Sequence, residues 1–336
     1  MTATPVRSSE VRSAGDVNRP ANPPVRSSEV RSTEGVNRPA RVLFCGQALL
    51  DHSFFLDEID APPSKMTARR YVPSVGGMGA HAAIAAVRLG AQAVFLGRVG
   101  DDANGEAVRE ALHAEGVDVT HLRRMPGART PLSAVMIDKR GERAIVTWRG
   151  EGFTPDAEWL PLEALDGAGA VLSDPRWPEA ATRIFAAARA RGIATVLDGE
   201  KSEARLLLDV VPRAEHVIFA ERGLSIFAPA TPTLAALRRA LESGPLRLAA
   251  VTRGERSTLW LTPGDTALRE TPSFPVDARN TTGAGDVFHG AYAVAVAEGQ
   301  PISAALRFAA AAGALRARDG ETPSRAMVDA MLAGGP

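Results

Sequence analysis

The chain is expected to fold as a three-layer α/β protein, with a doubly wound, mostly parallel sheet and a small β-sheet lid. Three observations carry this. Short apolar runs at 41–45, 93–99, 170–173, 194–197, 216–219 and 248–252 are separated by helix-length segments in the second half, the way strands buried on both faces of a parallel sheet read. Residues 52–75 alternate and carry Pro62, Pro63 and Pro73, while 132–137 and 143–148 flank Lys139-Arg140-Gly141, a hairpin signal; these suit short exposed strands rather than helices. Finally, 336 residues suffice for one large α/β unit with a smaller appendage.

The elements follow in order. Residues 1–40 stand apart: Pro5-Val6-Arg7-Ser8-Ser9-Glu10-Val11-Arg12-Ser13 recurs from Pro24 to Ser32, each copy followed by Val-Asn-Arg-Pro-Ala. A tandem duplication with almost no large apolar residues cannot bury a core, so disorder is expected. The main domain, 41–330, opens on a strand at 41–45, a turn at Gly46 and Asp51, then lid strands near 52–75. Ala80, Ile84 and Val87 fit a helix ending at Gly90, and 93–99 the next strand. A second pair of lid strands lies near 131–149. Helix and strand then alternate, and two helices close the chain, one from Gly283 and one near 302–316.

Composition narrows the function. Lysine plus arginine equals aspartate plus glutamate at 39 each, so no basic field favours nucleic acid or an anionic membrane. No long uncharged apolar run suggests a membrane span, and the N-terminus lacks the apolar centre of a secretory signal. The single cysteine, Cys45, ends an apolar run and reads as a buried strand residue in a reducing compartment. A cytoplasmic protein with a small-molecule partner is expected.

The most informative stretch is Asn280-Thr281-Thr282-Gly283-Ala284-Gly285-Asp286-Val287-Phe288-His289-Gly290. Val287, Ala291, Val294 and Ala295 fall on one helical face, which places the glycines at a helix N-terminus, where free N–H groups attract anions. Gly283 and Gly285 leave room for a phosphoryl group, and Asp286 in the first turn is held ionised by the positive end of the dipole. An anion cradle beside a carboxylate suggests phosphoryl transfer; a plain glycine-rich cap is the alternative.

This string resembles the C-terminal signature D-T-x-G-A-G-D of the ribokinase-like, or PfkB, carbohydrate kinases. The resemblance covers the chain from residue 41 onward and implies a three-layer core with a β lid over the sugar. It implies Asp286 as the base that deprotonates a sugar hydroxyl, with Gly283, Ala284 and Gly285 stabilising charge on the phosphoryl group. Asn280 stands where the family usually has Asp. Gly76-Gly77-Met78-Gly79-Ala80-His81-Ala82 is similar to the family's N-terminal signature, whose paired glycines contact sugar hydroxyls; His81 occupies the usual Asn position. The same stretch contains G-x-G-x-x-A, a weak dinucleotide fingerprint, but Gly46 and the lid rather than this motif follow the first strand, against a hydride-transfer enzyme.

The resemblance further implies a sugar contact from Asp51 and a nucleotide site at Thr252, Gly254, Thr282, Gly283 and Gly285. The family's N-x-x-E element would fall at Ala220-Glu221-Arg222-Gly223, where neither residue matches; Glu221 could serve magnesium through water. ATP and magnesium are the implied cofactors, with a monovalent cation left open and a homodimer through the lid as the implied assembly. Asp102 reads as a helix cap. Several longer segments, including Ser173-Asp174-Pro175-Arg176-Trp177, look closest to the sulfofructose kinases. There a lysine, an asparagine and an arginine hold the sulfonate, and Lys65, Thr147 and Arg176 stand at those positions. A sulfofructose-type ketose is the leading substrate, a neutral ketohexose, pentose or nucleoside the alternative. A non-catalytic sugar-binding protein is the reading from a different class.

Overall fold

The computed structural model describes residues 1–2, 39–59, 65–140 and 142–335. The expectation for 1–40 falls almost wholly outside them, as do Pro62, Pro63 and Gly141. Residues 39–336 form one compact unit. Its strands are β1 (Arg41–Gln47), β2 (Leu49–Phe55), β3 (Arg70–Gly76), β4 (Gln92–Gly100), β5 (Leu122–Met125), β6 (Leu132–Ile137), β7 (Arg143–Trp148), β8 (Ala170–Ser173), β9 (Ala194–Gly199), β10 (His216–Ala220), β11 (Leu248–Thr252), β12 (Thr258–Leu261) and β13 (Arg269–Thr271). Its helices are α1 (Met78–Arg88), α2 (Ala103–Ala114), α3 (Pro178–Ala190), α4 (Ala204–Val210), α5 (Glu221–Phe227), α6 (Thr233–Glu242), α7 (Ala284–Ala297), α8 (Ile302–Asp319) and α9 (Arg325–Ala333).

The main sheet runs β13-β12-β11-β10-β9-β8-β1-β4-β5, parallel except for its last two pairings, β11 with β12 and β12 with β13. Side chains alternate across a strand, and β1 shows the consequence: Val42 and Phe44 pack into one apolar core, Leu43 and Cys45 into the other. The first core is closed by α1, α2, α7, α8 and α9, through residues such as Leu89, Leu112, Tyr292, Phe308 and Val328. The second is closed by α3 to α6, through Phe185, Leu207, Phe227 and Leu237. The three expected layers result.

The chain leaves β1 toward β4 on one side and returns to β8 on the other, so the strand order reverses at β1. A crevice opens at such a switch point, beyond the carboxyl ends of the strands. The lid is a separate four-stranded sheet, β3-β2-β6-β7, built from the two segments expected to form it. Two features differ from expectation. A third closing helix, α9, follows α8, capped by Ser324 Oγ, which accepts from the Met327 amide, and anchored by buried Val328. The short edge strands β5 and β13, of four and three residues, carry too few apolar positions to be read in sequence.

Candidate active site

The apolar face of α7 locks it against the sheet, which fixes its N-terminus at the crevice. Gly283 precedes it with φ of 74°, a left-handed conformation that costs a side-chain-bearing residue roughly 1 kcal/mol or more. The Ala284 amide bonds to the Thr281 carbonyl at 3.2 Å, and among the described residues the amides of Gly283, Gly285 and Asp286 have no protein partner. They form a free anion cradle. Asn280 shapes the approach: its Oδ1 accepts from the Thr282 amide at 3.1 Å and from Arg143 Nη2 of β7 at 2.6 Å. Asn280 thus ties the lid to the turn.

Asp286 and His81 meet. His81 Nδ1 lies 2.8 Å from Asp286 Oδ2, and His81 Nε2 lies 2.9 Å from the Val75 carbonyl. Burial alone would lower the pKa of His81, but its hydrogen bond to Asp286, the charges of Asp286 and Asp51 and the Val75 carbonyl outweigh it, and the net shift is upward. Asp51, on β2, sits against Gly76, where an added Cβ would fall 2.4 Å from Asp51 Oδ2. Burial raises the pKa of Asp51, against the pull of His81 and the Ser133 hydroxyl. Gly77 has φ of 109° and turns the chain into α1 over the Gln47 carbonyl. A row of paired residues, Ser74, Asp51, Ser133 and Thr147, crosses the lid, and Ser133 Oγ lies 3.1 Å from Thr147 Oγ1.

Arg176 lines a cavity of about 230 Å³ with Gln47, Arg98, Arg149 and Phe153. Its amide donates to Asp174 Oδ1 at 2.8 Å; burial raises the pKa of Asp174, against the pull of the Arg176 charge. Arg98 stacks on Trp177 at 4.1 Å and donates to the Thr154 carbonyl, while Arg149 pairs with Glu203 at 3.0 Å. Lys65 is exposed on the segment leading into β3 and lines neither this cavity nor the one beside the turn.

At the end of β11, Thr252 Oγ1 donates to the Phe219 carbonyl at 3.3 Å. Gly254 has φ of 62° and open space where a side chain would be. Glu221 pairs with Arg256. Among the described residues no group of three or more histidine, cysteine or acidic side chains gathers to hold a metal. Asp102 is a cap: its Oδ1 accepts from the Gly105 amide at 2.8 Å and from Thr130 Oγ1 at 2.6 Å.

Other functional groups escaped the sequence reading. Arg316 of α8 stands beside the cradle, its Nε 3.7 Å from where a Gly283 Cβ would be, and adds positive charge there. His289 lies beneath the turn, with Nδ1 2.7 Å from the Gly285 carbonyl and Nε2 3.1 Å from the Ile218 carbonyl. Carbonyls only accept, which favours a doubly protonated ring; burial lowers the pKa of His289, but Asp198 and the two carbonyls outweigh it and the net shift is upward, while burial pushes Asp198 up to about 7. Asp198 lies 3.4 Å from Nδ1. The position of His289 inside the signature was visible, and Gly285 is four residues away, but Ile218 is 71 residues away in sequence.

A model of the pfkB family of carbohydrate kinases matches residues 39–325. The ribokinase of Bacillus subtilis is 31% identical over 264 residues, 76% of this chain and 87% of that protein. An ATP-dependent ribose-1-phosphate kinase of Halopiger xanaduensis is 27% identical over 298 residues, 87% of this chain and 97% of that protein. A solved protein of Agrobacterium tumefaciens, provisionally named a ribokinase, is similar with a TM-score of 0.80 at 31% identity, over 88% of this chain and 98% of that one. The chain therefore belongs to the pfkB family of carbohydrate kinases, ribokinase-like phosphotransferases that act on an alcohol group of a sugar.

Proposed function

We propose that this kinase phosphorylates a primary hydroxyl of a small sugar whose far end carries an anion, with a ketose such as 6-deoxy-6-sulfofructose as the leading candidate. Asp286 takes the hydroxyl proton, the freed oxygen attacks the γ-phosphorus of ATP, and ADP leaves. The free amides of the 283–286 turn and the Arg316 guanidinium stabilise charge on the transferred group. Positioning and electrostatics supply most of the rate. Magnesium enters as part of the nucleotide substrate, since the Glu221 carboxylate is engaged by Arg256. Asp51 and the backbone at Gly76 and Gly77 hold sugar hydroxyls.

The observation that carries the anionic reading is that Arg176, Arg98 and Arg149 line one cavity against a single carboxylate, Glu151, itself 3.6 Å from Arg129, beside Gln47, whose carbonyl abuts Gly77. Guanidinium groups bind tetrahedral oxyanions through paired N–H donors. A relative named for ribose 1-phosphate also acts on a sugar that bears an anion. A neutral pentose is the second reading, favoured by the 31% identity to a ribokinase.

The test compares kcat/KM for sulfofructose, fructose 6-phosphate, fructose and ribose in the wild type, Arg176→Met and Lys65→Met. A charge-assisted contact is worth roughly 1.5–3 kcal/mol, so Arg176→Met should penalise anionic sugars by about one to two decades beyond neutral ones, and Lys65→Met by less. A wild type that prefers ribose, or equal losses on all four sugars, would remove the anionic reading and leave the kinase intact.

A further inference from the structure

His81 joins three parts of the molecule. It stands on the first turn of α1, one ring nitrogen on the Val75 carbonyl at the end of lid strand β3 and the other on Asp286 at the start of α7. The hydrogens can be counted. A carbonyl only accepts, so Nε2 carries a hydrogen. Nδ1 at 2.8 Å from a carboxyl oxygen must then share a proton with it. Either an imidazolium donates to a carboxylate, or a protonated Asp286 donates to a neutral ring.

The surroundings favour the ion pair. Asp51 of β2 adds a second negative charge that acts on the ring. The positive end of α7 favours the charged form of Asp286, and Arg316 of α8 adds to it from beside Gly283. Arg88 of α1 itself and Glu115, just past α2, line the adjoining cleft of about 600 Å³ with His81. Both nitrogens being taken by protein atoms, the ring has no hydrogen bond left for a sugar.

We propose that His81 is a positioning residue for the catalytic base: as an imidazolium it holds Oδ2 of Asp286, leaves Oδ1 for the substrate hydroxyl, and ties both to the lid through Val75. When the ring loses a proton, it is the one on Nδ1, because the Val75 carbonyl retains the hydrogen on Nε2. A nitrogen lone pair then faces a carboxylate, and the base is released from its pose. With Asp286 ionised, the arrangement is complete below the raised pKa of His81 and is lost as pH rises through it. Activity should therefore carry an alkaline limb that belongs to this residue.

This inference rests on the reading of Asp286 as the base. The variant that tests it is His81→Asn, whose amide nitrogen can occupy the place of Nδ1 and donate to Asp286 but neither titrates nor reaches Val75. In the wild type, kcat should fall by about tenfold per pH unit beyond the limb. In His81→Asn it should be roughly ten- to a hundredfold lower at pH 7, from looser positioning, and nearly flat over the range where the wild type falls. Nitrogen NMR of the histidine-labelled wild type, with His81→Asn to assign the signals, should show both His81 nitrogens protonated at pH 7. A neutral His81 at that pH, or an unchanged alkaline limb in His81→Asn, would overturn the positioning role alone. A fully active Asp286→Asn enzyme would remove the base assignment and this role with it.

Discussion

On the proposed reading, Asp51 is a side chain prepared for a sugar hydroxyl. It is partly buried on the lid strand β2, in pairing register with Ser74 on one side and Ser133 on the other, and burial raises its pKa. A desolvated carboxylate without a full set of protein partners is a strong acceptor for a sugar hydroxyl. Asp51→Asn should lower kcat/KM by about one to two decades, from the roughly 1.5–3 kcal/mol of a charge-assisted bond, mostly through KM. Steady-state kinetics with the preferred sugar checks this, and an unchanged KM would place Asp51 outside the sugar site. Asp51 and Asp286 stood out in sequence because each sits in a contiguous motif; Gly46 and Asp51, however, expected in a turn, lie within β1 and β2, since the chain passes from the main sheet to the lid sheet with Ala48 alone between the strands. The contact between His81 and Asp286 could not be picked out in sequence, since it joins residues 205 positions apart. Nor could the convergence of Arg98, Arg149 and Arg176, which come from separate elements and share no local pattern.

Between elements, the crossing of α1 and α7 sets the distance on which the site depends. Gly290 faces Ala82, and a Cβ at Gly290 would fall 2.4 Å from the Ala82 carbonyl oxygen and 3.0 Å from its Cα. Backbone cannot yield there as a flexible side chain could. Ala82 follows His81 directly, and Gly290 lies about one turn beyond Asp286, so separating the helices separates the pair. Gly290→Ala should cost about 1–3 kcal/mol by overpacking, lower the melting temperature by a few degrees, and reduce kcat more than KM. Thermal melts with parallel kinetics check it; a variant that melts and turns over like the wild type would show that the helices adjust freely. The apolar strands at 170–173 and 248–252 were legible to the residue because burial on both faces demands continuous apolar runs. The helix α9 was not, because its amphipathic signal is nine residues long and buries one residue fully. Likewise β5 pairs along one edge with two exposed arginines in the middle, a pattern that turns share.

At the scale of the molecule, a balanced charge of 39 against 39, a strand-order reversal at β1 and a separate lid sheet suit a small ligand enclosed at the crevice. Among the described residues no helix is long and apolar enough to cross a membrane. The sheet brings the Gly283 turn, Asp286 and the arginine-lined cavity to its carboxyl edge, and the proposed function rests on that joint placement. It is tested most directly by sugar-dependent ADP release from the purified protein and from Asp286→Asn, with ATP binding measured by calorimetry on both. Loss of the base should cut turnover by about two to four decades and leave ATP affinity nearly unchanged, because the amides of the turn stay in place. Turnover close to wild type in Asp286→Asn would contradict the assignment of Asp286 as the base.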